Sequence, residues 1–141
     1  MSFATATALA VSHLTSELAA HAGGVGDGEA PAGTPAYPFH IVYNISEIRN
    51  DPGFIDDDGM FETVIQVTTG ATTRQLRDLA ADAVSEAMLV SPVASALTAS
   101  GETLTVIGRV FDVRANDDIQ EGRVFSVAQR FLWLCAVAPT P

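Results

Sequence analysis

The stretch that decides the fold is Arg123 to Val137, RVFSVAQRFLWLCAV, close to the end of the sequence. Its side chains alternate as in a β-strand, where residues two apart share a face. One face carries Phe125, Val127, Phe131, Trp133, Cys135 and Val137, and the other carries Val124, Ala128, Leu132, Leu134 and Ala136. Both faces are apolar toward the end of the strand. The sequence therefore predicts more apolar sheet than one layer of helices can cover, and a partner surface over the remainder.

Arg130 interrupts the second apolar face, between Ala128 and Leu132. An unpaired buried charge is costly, so this arginine must have a partner or reach the edge of the sheet. The partner can be an acid of a neighbouring subunit or a group of the same fold, or the side chain can extend to water. Arg130, Leu132 and Leu134 are the candidate residues for a subunit interface.

The clearest helix in the sequence begins at Thr72, because Thr72 and Gln75 fit a threonine-x-x-glutamine capping box. Its predicted apolar face consists of Leu76, Leu79, Ala80, Ala83, Val84, Ala87 and Met88. Its predicted polar face consists of Arg77, Asp78, Asp82, Ser85 and Glu86. Pro92 stops the helix. This pattern predicts a helix that lies flat on a sheet, with a solvated outer side.

Two strands with a period of two precede that helix. In Phe39 to Ser46, one face holds Phe39, Ile41, Tyr43 and Ile45, and the opposite face holds His40, Val42, Asn44 and Ser46. Met60 to Thr68 is the second strand, with Phe61, Thr63, Ile65 and Val67 on one face. Arg49 to Gly59 joins them through Asn-Asp-Pro-Gly and Asp-Asp-Asp-Gly, which are typical of turns. The two strands are predicted to form a hairpin with a large acidic tip.

The sequence begins with a predicted helix, Ser2 to Ala22, which contains neither glycine nor proline. Ala10, Leu14 and Leu18 form a stripe at a spacing of four, and the glycines that follow end the helix. Gly23 to Pro38 holds five glycines and three prolines, so it is predicted to be a loop or arm.

A further strand, Thr103 to Val113, is separated from the last one by the acidic segment Arg114 to Gly122. The predicted order is helix, strand, strand, helix, strand, strand. This order predicts one α+β domain over residues 1–141, with an antiparallel sheet of about four strands and two helices packed on one face.

The chain has 141 residues, with 17 acidic side chains, seven arginines and no lysine, and its net charge is −10. A domain that binds nucleic acid by neutralising phosphates needs a basic face, so this charge balance argues against that class of protein. Schiff-base and Walker-lysine chemistry are excluded as well. The single cysteine, Cys135, excludes an internal disulfide and a thiolate zinc cluster.

Targeting signals are weak in this sequence. The longest apolar run, Phe131 to Pro139, has about half of the roughly 20 residues needed to cross a bilayer. The first 22 residues lack the basic segment that a signal peptide requires. An intracellular location is expected.

The candidate acid-base residues are His13, His21 and His40. His13 and His21 are eight residues apart, too far for a shared metal on one helix, and are expected to be partly exposed. His40 is expected on the polar face of its strand. No nucleophile motif such as G-x-S-x-G accompanies them, so no catalytic residue is predicted.

Two features invite a ligand. The carboxylates before Gly59 attract hard cations, but their spacing fails the register of an EF-hand, and a solvated tip or an acidic contact surface is the alternative. The glycines between Gly23 and Gly33 neither follow a strand nor open a helix, so they do not form a phosphate cradle. No metal and no cofactor is predicted, and the chain is not expected to be an enzyme.

Several segments together resemble a known family. They are an N-terminal helix, the strand FHIVYNIS at 39–46, an acidic loop, the strand at 60–68, a helix opening TTRQLRDL at 72–79, and a long strand ending AQRFLWL at 128–134. In these respects the chain is similar to the tail terminator proteins of long-tailed bacteriophages, also called tail completion or minor tail proteins. Its lysine-free composition is similar to that of phages of GC-rich actinobacteria.

The resemblance implies a structural virion protein that forms a ring, typically a hexamer. Such a ring caps the tail tube, ends its polymerisation and joins the tail to the head-completion or connector protein. It is assembled in the host cytoplasm and sits at the head-proximal end of the tail. Genomic DNA would pass through an acidic lumen without tight binding, since like charges repel.

By this analogy, three sets of residues have roles. The hairpin tip, which consists of Phe54, Ile55, Asp56, Asp57 and Asp58, would contact the tube or the adjoining ring. Asp117, Asp118 and Glu121 would face the lumen or a partner, and Arg130, Leu132 and Leu134 would lie between subunits. The alternatives are another neck or tail component, such as a tube protein or connector adaptor, and a small α+β ligand-binding domain or enzyme with a pocket between helix and sheet.

Overall fold

A computed structural model describes residues 3–29, 36–49, 60–97, 102–114, 119–121 and 124–139. The two helices in these ranges are α1 (Phe3–Glu17) and α2 (Arg74–Leu89). The strands are β1 (Val25–Asp27), β2 (Phe39–Arg49), β3 (Met60–Ala71), β4 (Ala96–Leu97), β5 (Glu102–Arg114), β6 (Ile119–Glu121) and β7 (Val124–Pro139). No helix in the described ranges is both long and apolar enough to span a bilayer.

The described strands form one sheet in the order β1-β2-β3-β7-β5-β4. Strands β2, β3, β7 and β5 are each antiparallel to their neighbours, whereas β1 runs parallel to β2. Strand β6 pairs with the start of β7. Strand β3 pairs with the opposite edge of β7 at the same residues, so β6 lies on the same edge of β7 as β5. The α+β class, the antiparallel hairpin of β2 and β3, and the order of the long elements are confirmed.

Three short strands add to the four long strands that the pattern predicts. Within the segment predicted to be a loop or arm, Val25–Asp27 lies beside β2, with Val25 opposite His40. A positive φ of 74° at Gly24 precedes it, a conformation that glycine adopts readily. Gly23 is packed tightly as well, since a Cβ there would lie 2.4 Å from the carbonyl oxygen of Ala36.

Both helices pack on the same face of the sheet, and the core lies between them and the central strands. On β7 the buried residues are those two apart, Val127, Gln129, Phe131, Trp133, Cys135 and Val137. The Trp133 ring lies under α2, where its Nε1 donates to the carbonyl oxygen of Met88 at 3.1 Å. The predicted stripe of α1 is buried too, because Ala10, Leu14 and Leu18 all belong to this core.

Helix α2 begins one residue later than predicted. Thr73 has the extended backbone of an N-cap, and its Oγ1 accepts a hydrogen bond from the backbone N–H of Leu76 at 3.1 Å. The capping box at Thr72 and Gln75 is therefore wrong. Two adjacent threonines fit an N-cap, and the sequence pattern does not choose between them.

The buried face of α2 is also rotated from the predicted one. Leu79, predicted to be buried, is 60% exposed, whereas Arg77, predicted to be solvated, is 8% exposed. The Arg77 guanidinium reaches the exposed Asp78 carboxylate at 2.9 Å, so its aliphatic stem is covered while its charge is paired. Ala80, Val84, Ala87 and Met88 are buried as predicted, and contact with the sheet and α1 decides which residues beside them are covered.

The apolar residues of β2 suggest that the face with Phe39, Ile41, Tyr43 and Ile45 lies against the helices. In the structure the opposite face lies against them. His40 and Val42 are fully buried, whereas Ile45 is 43% exposed. The expectation that His40 lies on a polar face is wrong. Helix α1 lies over the His40 side, where Asn44 Nδ2 donates to Thr7 Oγ1 at 3.0 Å. The position of the helix layer sets the buried face.

The C-terminal end of α2 is held by an arginine of β5. Arg109 donates from its guanidinium to the carbonyl oxygens of Ser91 at 2.7 Å, Val90 at 3.3 Å and Met88 at 3.4 Å. Carbonyls at a helix end lack helical partners and carry partial negative charge, so a cation there stabilises the helix. This contact joins the outermost long strand to the helix layer.

We expect Arg109→Ala to lower the free energy of unfolding by about 1–2 kcal/mol, since it removes charge-assisted hydrogen bonds from a helix end. Urea unfolding measures the change. Arg130→Ala is the matched control, because Arg130 is exposed and its change is expected to stay within about 0.5 kcal/mol. Equal effects of the two substitutions would contradict the capping role.

Candidate functional site

The side of the sheet opposite the helices carries the predicted interface residues. We call it the open face. In the three central strands it includes Glu62, Val64, Gln66, Thr68, Thr105, Gly108, Val110, Ala128, Arg130, Leu132, Leu134 and Ala136, which alternate with the residues that face the helices. In the part of the chain that the structure describes, neither helix lies on this side.

The centre of the open face is an apolar row that crosses three strands. Leu132 of β7 is paired with Val64 of β3 on one side and with Val110 of β5 on the other. Directly paired residues of antiparallel strands bring their side chains into contact range. Leu132 and Val64 are half-buried, and Val110 is 58% exposed. The row is therefore apolar surface that remains in contact with solvent.

Leu134, two residues further along β7, is the next residue of this face, and its partner on β3 is Glu62. Its partner on β5 is Gly108, and a Cβ built on Gly108 would lie 3.4 Å from the Leu134 Cβ. Glycine therefore leaves the Leu134 side chain uncovered on that side. Bulges in β5 on either side of Gly108 to Phe111 bend the strand at this place.

Arg130 lies on the same face, one row away from Leu132. Its Nε donates to Gln66 Oε1 at 3.0 Å, and the side chain is exposed. Of the alternatives that the sequence leaves open, the structure therefore shows a partner within the fold and a guanidinium in contact with water. The three predicted interface residues, Arg130, Leu132 and Leu134, lie together on the open face.

The acidic candidates are only partly covered by the structure. The hairpin tip, Phe54, Ile55, Asp56, Asp57 and Asp58, lies outside the described residues, as do Asp117 and Asp118. Glu121 belongs to β6, where it is paired with Val124 at the start of β7. The structure thus places Glu121 beyond the free end of β5, at the edge of the sheet.

Two of the three histidines form a cluster that sequence reasoning missed. His21 Nδ1 lies 2.8 Å from His40 Nε2, and His40 Nδ1 lies 3.0 Å from Thr69 Oγ1. His21 is half-buried, which agrees with the predicted partial exposure. The sequence pattern does not predict this contact, because it depends on the pairing of β1 with β2. That pairing and the turn before β1 bring the chain after α1 against β2.

The hydrogen bond between His21 and His40 requires at least one of the two imidazole rings to be neutral. A hydrogen bond between two imidazole nitrogens needs one donor and one acceptor, and a second proton would place two N–H groups against each other. Burial, and then the charge of His21, lower the pKa of His40 to about 4. Burial also lowers the pKa of His21. The pair is a neutral structural link between the α1–β1 turn and the sheet.

His13 is also buried, contrary to the predicted partial exposure. Its Nε2 lies 2.7 Å from the carbonyl oxygen of Ala87, and its ring meets the edge of Trp133 at 6.3 Å between centroids. It lines a cleft of about 320 Å³ between α1 and the segment after α2, together with Leu9, Ser12, Ser16, Glu17, Pro92 and Ala94. His13 joins the two helices here.

The other reactive side chain is Cys135, which is buried in the core. Burial raises the pKa of its thiol to about 12, so the nucleophilic thiolate is scarce. Among the described residues, no three histidine, cysteine or carboxylate side chains lie close enough to hold a metal ion. The three histidines and Cys135 take part in packing and internal hydrogen bonds.

A solved chain with this fold belongs to a structure described as the virion of a native gene transfer agent (GTA) particle. It matches with a TM-score of 0.59 and 19% sequence identity, over 96% of this chain and 99% of that chain. At this identity the likeness shows a shared fold. No protein-family model matches the sequence, and no curated protein matches it.

The histidine pair predicts a pH dependence. The pKa of His40 is lowered from 6.5 to about 4 in the folded protein. Between pH 6.5 and pH 4, this residue is therefore protonated in the unfolded chain but neutral in the folded one. The contribution of His40 to the free energy of unfolding is fully present above pH 6.5 and is lost as the pH falls to 4. At about 1.4 kcal/mol per pKa unit, we expect a loss of about 3 kcal/mol.

The measurement compares urea unfolding of the wild type and His40→Gln between pH 7 and pH 4. Carboxylates titrate in both proteins, so their effect cancels in the difference, which should shrink as the pH falls. His21→Gln is the control, because burial is the larger cause of the His40 shift and most of the pH dependence should remain. A difference that does not vary with pH would refute the assignment.

Proposed function

We propose that this chain is a structural subunit of a phage-type virion and, more specifically, a tail terminator. In this role a ring of subunits, typically six, caps the tail tube, ends its polymerisation and joins the tail to the head-completion or connector protein. The observation that carries the proposal is the match over nearly the whole of both chains to a component of a virion particle. A shared fold is compatible with a shared role but does not by itself establish one.

The open face supports a role in assembly. A monomer with a solvated sheet normally shows polar residues on that side, whereas here an apolar row occupies the centre of the sheet. Contact with a neighbouring subunit would remove Val64, Leu132 and Val110 from water. Arg130 would supply a charged group at the border of this contact, where it is able to pair with an acid of the neighbour.

The charge of the chain supports the same role. Six copies would carry about −60 in formal charge, since each carries −10. An acidic lumen repels DNA phosphates, so a genome can slide through without binding tightly. In this proposal Asp117, Asp118 and Glu121 face the lumen or a partner, and the hairpin tip at 54–58 contacts the tube or the adjoining ring.

Removal of the gene from the phage or phage-like particle that encodes it tests the terminator role directly. A tube without its cap continues to polymerise and cannot join a head. We therefore expect electron micrographs with overlong, headless tails, and tails of normal length when the wild-type gene is supplied in trans.

The other outcomes identify the alternatives. Heads without tails would indicate a tube protein or a connector adaptor, because tail growth or attachment would fail earlier. Normal particles would refute a virion role and favour a small binding domain or enzyme.

The open face is tested by Leu132→Glu, which places a charge in the middle of the apolar row. We expect this variant to fold and to be lost from assembled particles, because burying an unpaired carboxylate opposes the contact. Leu79→Glu is the matched control, since Leu79 is 60% exposed on the opposite side of the molecule. Circular dichroism checks folding, and immunoblotting of purified particles measures incorporation.

Equal incorporation of the Leu132→Glu and Leu79→Glu variants would show that the open face is not an interface. Loss of both variants would instead point to an interface that includes the outer side of α2.

A further inference from the structure

The sheet has two long edges to which the described residues add no strand. Strand β4 covers β5 only at Thr103 and Leu104, so residues 106–114 lie beyond it. Strand β1 covers β2 only at 40–42, so residues 44–49 lie beyond it. At roughly 3.3 Å per residue these edges are about 30 Å and about 20 Å long. They lie on opposite sides of the same sheet.

Exposed large apolar side chains concentrate on these two edges. The described residues of this kind are Ile45, Leu79, Val90, Ile107, Val110 and Phe111. Four of the six belong to the edge segments, Ile45 on β2 and the other three on β5. Natural proteins protect long edges with charged side chains, proline or bulges. Neither segment contains proline, but both carry charged residues and a bulge, so their protection is partial. The exposed apolar side chains, together with the length that no described strand covers, favour pairing with another strand.

The direction of the strands decides how two copies can meet. Three antiparallel steps separate β2 from β5, so these strands run in opposite directions. In a ring whose axis runs along the strands, all copies have the same polarity. The β5 edge of one copy then meets the β2 edge of the next copy in the antiparallel orientation that the long strands already use.

We propose that copies of this chain join by pairing the β5 edge, residues 106–114, of one copy with the β2 edge, residues 44–49, of the next. Such a contact is heterologous, because two different surfaces meet, and repetition of it gives a closed ring or an open filament. Bulges at Ile45, Ile107 and Asp112 bend both strands, and bending is what closure of a sheet requires.

This inference rests on the proposed ring and specifies which surfaces hold it together. It is separate from the open face, because edge pairing places the open faces of neighbouring copies side by side. Leu132 and Val64 remain available for a different subunit. Val110 belongs to both surfaces, so Leu132 tests the open face and Ile107 tests the edge.

Cysteine cross-linking tests the pairing. Ile45→Cys and Ile107→Cys are made as separate variants, and a short bis-maleimide is applied to each alone and to their mixture. The probe positions are exposed, so the substitutions are compatible with folding. The native Cys135 is buried with a raised pKa and contributes little reaction. Leu79→Cys mixed with Ile45→Cys is the matched control.

We expect a covalent dimer only in the mixture of Ile45→Cys and Ile107→Cys, in purified protein at high concentration and in purified particles. A dimer of Ile107→Cys alone would show pairing of like edges and would overturn the proposal. Absence of a dimer in both preparations would overturn it too, as would equal yields with the Leu79→Cys control. A cross-link to a different virion protein would replace the second copy by that partner.

A second variant tests the same contact without chemistry. Ile107→Lys places a charge on the β5 edge, and light scattering should show loss of the assembled species relative to Leu79→Lys. Failure of the edge proposal and failure of the terminator role are distinguishable. Overlong tails after gene removal, combined with the absence of edge cross-links, would refute only the edge-pairing proposal. Edge cross-links, combined with normal particles after gene removal, would refute only the terminator role.

Discussion

Strand β7 pairs with β3 along one side and with β5 and β6 along the other, and it has apolar side chains on both of its faces. Two helices cover only one of those faces in the described part of the chain. Trp133, Phe131 and Cys135 are sealed beneath them, while Leu132 and Leu134 remain half-buried on the other side. The helix layer, the position of β2 and the open face all depend on this central strand, because every other long strand is placed by its register to β7 or to a direct neighbour of β7.

Periodicity was enough to predict what depends on local pattern. The long strands, the hairpin, the antiparallel sheet and the two alternating faces of β7 follow from a spacing of two, and the stripe of α1 follows from a spacing of four. The same residues predicted an uncovered apolar surface at Leu132 and Leu134. Arg130 was expected to find a partner or water, and it has both, through Gln66 and through its exposure.

What failed depends on contacts between distant segments. His40 looked like a solvated residue of β2, but α1 covers that side and His21 supplies a partner. On α2, Ala80, Val84, Ala87 and Met88 are buried as predicted, but contact with the sheet and α1 covers Arg77 in place of Leu79. Val64 and Val110 join Leu132 only through the register of three strands, which single-strand patterns do not contain. These are tertiary effects that override local preference, as is common where a strand has similar side chains on both faces.

The position of the single tryptophan makes it a selective optical probe. Trp133 is fully buried on the helix side, and its indole nitrogen is bound to the backbone of α2. Its fluorescence therefore responds when the helices separate from the sheet. Leu132 and Trp133 lie on opposite faces of β7, so a partner that covers Leu132 does not contact the indole. Fluorescence excited selectively in this tryptophan can thus follow the folding of the subunit, while light scattering follows its association. The two processes can be timed independently in the same cuvette.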